Sequence, residues 1–156
     1  MIVLDANVIS SLFNSQNSEH QDFKPVLDWV NKCNGASFVF GGTKYKKELS
    51  KMTNYLKIMR KLKDAGKLIE IDTNLIDRDA VRLKNICADT AFNDEHIVAI
   101  LNISGCKLVG TRETRAIPYI KRQDFYSDGK TPKIYSSSKN KKLLTKINIV
   151  RLRHTC

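Results

Sequence analysis

Short apolar runs alternate with stretches of helical period along this chain, and that alternation limits the possible folds more than any other feature. Met1-Ile2-Val3-Leu4, Ser37-Phe38-Val39-Phe40 and Lys107-Leu108-Val109-Gly110 have strand length and little polarity, the mark of strands buried on both faces. Residues 6–13 read as a helix. Pro25 sits near the start of another, which buries Val26, Leu27, Trp29 and Val30 and breaks at Gly35. Leu49, Met52, Leu56, Met59 and Leu62 predict one long helix from a Thr43 cap to about Ala65, ended by Gly66. Leu68–Ile71 reads as a short strand or connector, with Thr73 or Asn74 capping a helix over 75–87. Asp94 heads a helix that buries Ile97, Val98, Ile100 and Leu101 and stops at Gly105. After that the pattern weakens to a helix over 113–123 around Pro118, a turn at Ser127–Lys130 and an edge strand at Ile134–Tyr135. The order predicts an α/β fold with a mostly parallel sheet covered on both faces.

A chain of 156 residues supports one core without disulfides or metal staples. The reading is a single domain over 1–156 with a basic C-terminal extension from about 116. Cys33, Cys87, Cys106 and Cys156 have no zinc or redox spacing, which predicts free thiols. No apolar run reaches the roughly 18 residues of a membrane span, and the opening lacks a secretory signal pattern. A cytoplasmic protein with no membrane partner is expected. The net charge of +11 is lopsided: residues 1–106 carry 14 Lys and Arg against 13 Asp and Glu, residues 107–156 carry 13 against 3. Clustered cations attract polyanions, so the C-terminal third is expected to face one.

Asp5 ends the first apolar run, and in open α/β sheets ligands bind outside the carboxyl ends of the strands. Glu48 lies one turn into the helix after the second run, Asp94 opens a helix before the third, and Glu113 follows the third. All four are placed for one sheet edge. Each also has a plainer reading: Asp5 and Asp94 as helix caps, Glu48 as an ion-paired surface residue among Lys44, Lys46, Lys47 and Lys51, Glu113 as a loop acid. Gathered carboxylates repel at neutral pH and call for a hard cation such as Mg²⁺ or Mn²⁺.

Leu4-Asp5-Ala6-Asn7-Val8, Tyr45-Lys46-Lys47-Glu48-Leu49, Asp94-Glu95-His96-Ile97-Val98-Ala99 and Leu108-Val109-Gly110-Thr111-Arg112-Glu113 resemble, in order, the acidic motifs of PIN-domain ribonucleases. The resemblance covers residues 1 to about 115. It implies a three-layer α/β/α sandwich and RNA cleavage dependent on Mg²⁺ or Mn²⁺. In many bacterial members it also implies a toxin of the VapC type, whose partners are RNA and a cognate antitoxin; a homodimer is a further partner to test. Asp5, Glu48 and Asp94 match the family's catalytic acids and metal ligands. Asn7 matches the polar residue supporting the first. At the fourth acidic position the family carries aspartate, whereas here Glu113 stands. From their positions, Thr111 is expected to bond a phosphate or a ligand carboxylate, and Arg112 and Arg115 to hold RNA phosphate. His96 is expected to point away from Asp94 on its helix and to take no part as a base. The other reading is a PIN-like module that binds RNA or protein without cutting. A dehalogenase-like phosphatase needs an aspartate where Asn7 stands, and a Rossmann nucleotide site needs a glycine-rich turn after the first strand.

Overall fold

The computed structural model describes all of residues 1–156. Five strands, β1 (Ile2–Leu4), β2 (Phe38–Gly41), β3 (Leu68–Ile71), β4 (Leu108–Gly110) and β5 (Lys133–Tyr135), form one all-parallel sheet in the order β3-β2-β1-β4-β5. Val3 stands opposite Val39 on one side and Val109 on the other. These central strands are apolar on both faces because both faces are covered, and Ile2, Val3, Leu108 and Val109 are fully buried.

Seven helices connect and cover the strands: α1 (Ile9–Phe13), α2 (His20–Lys32), α3 (Thr43–Ser50), α4 (Leu56–Asp64), α5 (Thr73–Ile86), α6 (Glu95–Ser104) and α7 (Ile117–Ile120). The chain winds outward from β1 to β3, then returns across the sheet to β4 and β5. With right-handed crossovers, α1 to α4 cover one face and α5 and α6 the other, giving a three-layer α/β/α fold. The direction of winding reverses between β1 and β4. That reversal opens a crevice at the carboxyl edge of the sheet, between the loops that begin with Asp5 and Thr111.

Several elements depart from expectation for identifiable reasons. Residues 6–13 divide into a 3₁₀ turn, Ala6–Val8, and α1. Helix α2 starts upstream of Pro25, which lies inside it; fully buried Phe23 and the Tyr135 hydroxyl, donating to the Asp22 carbonyl at 2.7 Å, hold the added turn. The helix expected over 43–65 is broken. Met52 leaves helical geometry (φ −91°, ψ 57°) and a 3₁₀ turn, Thr53–Tyr55, separates α3 from α4. The Tyr55 hydroxyl bonds Ser10 at 3.2 Å and its ring lies 5.8 Å from that of Phe13, contacts that draw this turn toward α1. Gly42, not Thr43, stands at the N-cap of α3, and the Asp72 carboxylate, not Thr73 or Asn74, caps α5 through the Leu75 amide. The helix expected over 113–123 shrinks to the single turn of α7.

The basic C-terminal segment is packed. After β5 it runs beside α2, where Ser138 donates to the Asp22 carboxylate. It then passes the amino ends of the strands: the Asn148 carbonyl accepts from the Met1 amine, Ile149 lies against Gly35 and the Arg153 amide donates to the Ser104 carbonyl. Thr155 finally pairs antiparallel with Ile71 on the far edge of the sheet. The four cysteines are free. No helix is long and apolar enough to cross a membrane.

Candidate functional site

The loops after β1 and β4 are tied together at the switch point. The Asp5 amide donates to the Gly110 carbonyl at 2.8 Å, while its carboxylate accepts from the Asn7 amide at 3.2 Å and the Thr111 hydroxyl at 2.9 Å. Thr111 is fully buried, and its Oγ1 also accepts from the Glu113 amide at 3.0 Å. Thr111 therefore bonds a candidate ligand carboxylate, the second of its two expected roles. Asp5 does cap the turn that follows it, and the same carboxylate remains on the wall of a pocket.

That pocket is lined by Asp5, Asn7, Ala91, Asn93, Asp94, Glu113 and Arg115. Asp94 occupies the N-cap position of α6, yet its side chain makes no capping bond and stays available. Glu48 stands beside the pocket, its Oε2 3.2 Å from the buried His96 Nε2. Arg115 donates to Glu113 at 3.0 Å, the two forming a pair on the pocket rim. Arg112 turns away, to Glu19 at 3.1 Å and Asp22 at 3.6 Å on the α2 side, and does not line the pocket.

Burial is the main influence on the three acids, and neighbouring negative charge adds to it. Burial raises the Asp5 carboxyl, with the Thr111 and Asn7 hydrogen bonds working against it and the Glu113 charge adding to it. Burial and then the charge of Asp5 push Asp94 up to about 6, with Lys44 opposing. Glu48 is raised by burial, again against Lys44, and further by Asp5 and Asp94. His96 is lowered to about 4, mainly by burial and then by Lys44, so it is neutral at pH 7. Its Nε2–H then donates to Glu48, leaving a buried Nδ1 with no partner.

No three His, Cys, Asp or Glu side chains lie close enough to form a ready-made metal cage. The four acids expected to share an ion are thus brought to one rim, though not to common ligand distance. Two carboxylates on an open pocket could hold a hydrated hard cation. Mg²⁺ is commonly held by one or two carboxylates and keeps several waters. Asp5 and Asp94 face one open pocket, where the charge of Asp5 raises the proton affinity of Asp94, a repulsion that a cation would relieve.

Sequence comparison with family models and curated proteins, and comparison with solved structures, gave no match. The site therefore stands on its own geometry. The role of Lys44 beside the site had no signal in the sequence. Lys44 donates to the Asn93 carbonyl and to buried Glu95, which Lys84 also meets at 3.2 Å. A lysine four residues before Glu48 looks like a partner for that glutamate; the fold instead sends it across to α6.

Proposed function

We propose that this chain hydrolyses RNA phosphodiester bonds with a divalent cation, Mg²⁺ or Mn²⁺, held at the rim between β1 and β4. One observation carries the reading: Asp5, Asp94 and Glu113, from three distant stretches, line the switch-point crevice with Glu48 near enough to feel the charges of Asp5 and Asp94, and Asp5, Glu48 and Asp94 have raised proton affinity. Their agreement in order with the PIN-domain motifs supports RNA as the substrate.

Asp5 and Asp94 would hold the ion. Such an ion would activate a bound water and clamp the phosphate it attacks. Thr111 and the Asn7 amide fix the Asp5 carboxylate, so it need not reorganise when the ion arrives. Glu48, steadied by neutral His96, would orient the attacking water, and Glu113 would be a further acid in the pocket lining. Arg115, paired with Glu113 on the rim, is the cation in the lining that would meet a non-bridging phosphate oxygen. Thermal melting with and without Mn²⁺ tests the site. Wild type should melt higher with Mn²⁺, Asp5→Ala should not respond, and wild type but not Asp94→Asn should cut RNA.

The absence of a three-donor cage favours one alternative, a PIN-like module that binds RNA without cutting it. RNA bound by wild type, with no Mn²⁺ response and no cleavage, would establish that alternative.

A further inference from the structure

A second groove adjoins the acidic pocket, and Asn7 lines both. Its walls are the turn and first residues of α1 on one side and the break between α3 and α4 on the other. Asn7, Ser10, Lys51, Thr53, Asn54 and Tyr55 supply the polar lining, with no carboxylate among the lining residues. The two neighbours therefore differ in chemistry. One presents three acids and a single arginine, the other an ammonium, two amides, three hydroxyls and an aromatic ring. Lys51, Asn54 and Asn7 are exposed, while Tyr55 is half-buried against Phe13.

We propose that this groove is a nucleotide subsite, which takes the nucleotide next to the scissile phosphate of a single strand. The proposal rests on the nuclease reading for the word scissile, although binding in the groove is measurable without it. A strand crossing from the acidic pocket must pass Asn7. On the far side its next phosphate meets Lys51, and its base meets the amides, hydroxyls and ring that single-strand sites use. A continuous helix over 43–65 would not provide the exposed turn that carries Thr53 and Asn54. The break that the sequence pattern does not predict thus builds the groove wall.

The test is fluorescence anisotropy in EDTA with a labelled single strand of about ten nucleotides, as RNA and as DNA of the same sequence. Wild type should bind, and exposed-site variants Lys51→Glu and Asn54→Ala should weaken binding of both strands, Lys51→Glu by about tenfold and with a salt slope smaller by about one. Both variants should keep the Mn²⁺ melting response of wild type, which also shows that they fold. Failure of wild type to bind either strand, or unchanged affinity in Lys51→Glu, overturns the subsite. Binding that depends on Lys51 in a wild type that neither responds to Mn²⁺ nor cuts would retain the groove and remove the nuclease. A Mn²⁺ response with Lys51-independent binding would do the reverse.

Discussion

At Asp94, burial and the neighbouring charge of Asp5 raise the carboxyl from its ordinary 3.8 to about 6. The folded protein therefore holds a proton there that the unfolded chain has released, and stability from this group falls as pH rises from about 4 to 6. His96 acts with the opposite sign. Its fall from 6.5 to about 4 means that the unfolded chain binds the extra proton, so its contribution rises with pH across that window. Asp94→Asn should remove the share of the falling component that Asp94 contributes and leave the rising contribution of His96. Chemical denaturation between pH 4 and 6, without metal, should show a steeper rise with pH in the variant than in wild type. At pH 7 the variant should be more stable by about 1 kcal/mol, allowing for solvent screening of a partly exposed group. On the proposed function a metal at Asp94 would compete with the same proton, so the Mn²⁺ melting response of wild type should fade below about pH 6. Thr111→Val tests the support of Asp5. It deletes a fully buried hydroxyl bonded to that carboxylate and should cost about 1–2 kcal/mol in denaturant melts. Loss of a hydrogen bond that favours the charged form should also move the fading of the Mn²⁺ response to higher pH.

Among the elements, the central strands were legible because burial on both faces leaves an unbroken apolar run, and strands at 2–4, 38–41 and 108–110 coincide closely with those runs. The break in the 43–65 helix was not. Leu56 keeps the helical period yet is 41% exposed, and the contacts that shape the break join Tyr55 to Ser10 and Phe13, far away in sequence. The site divides in the same way. Asp5 and Asp94 were readable from their places at element ends, whereas the Glu48–His96 bond and the Asp5–Thr111 bond need the folded sheet to bring distant segments together. The strand-to-helix turn after β2 gives a test at this scale. Gly41 has φ +155°, and a Cβ there would lie 2.6 Å from Ile76 Cδ1 and 2.7 Å from the Ile71 carbonyl oxygen. Gly66, with φ +66°, has nothing within 4 Å. Gly41→Ala should cost about 3 kcal/mol or more through overpacking and backbone strain, and Gly66→Ala about 1 kcal/mol from backbone conformation alone, both read from thermal or urea melts.

Over the whole molecule, the last cations of the chain are set apart from the acidic pocket along the strand direction. The acids gather at the carboxyl edge, whereas the segment containing Lys146, Arg151 and Arg153 passes the amino ends of the strands. Of the 13 Lys and Arg in residues 107–156, only Arg112, Arg115 and Arg122 form ion pairs. Lys139, Lys141 and Lys142 lie on the stretch beside α2, closer in the chain to the carboxyl edge than the later cations. If they meet a polyanion, replacing all three with Ala should lower the slope of log affinity against log salt by about 2–3, while leaving the Mn²⁺ melting response intact.

The C-terminal segment also governs how the molecule would give way under tension. It reaches from β5 at one side of the sheet to β3 at the other, held by the Ser138–Asp22, Met1–Asn148, Arg153–Ser104 and Thr155–Ile71 contacts in turn. Force applied between the first and last residues loads β1 from its amino end and this segment from its carboxyl end, and the segment, held by scattered contacts and not by a strand ladder, should peel first, beginning at Thr155. An optical-trap record should therefore show a low-force release of up to about 70 Å, the extended length of residues 136–156, ahead of the main rupture.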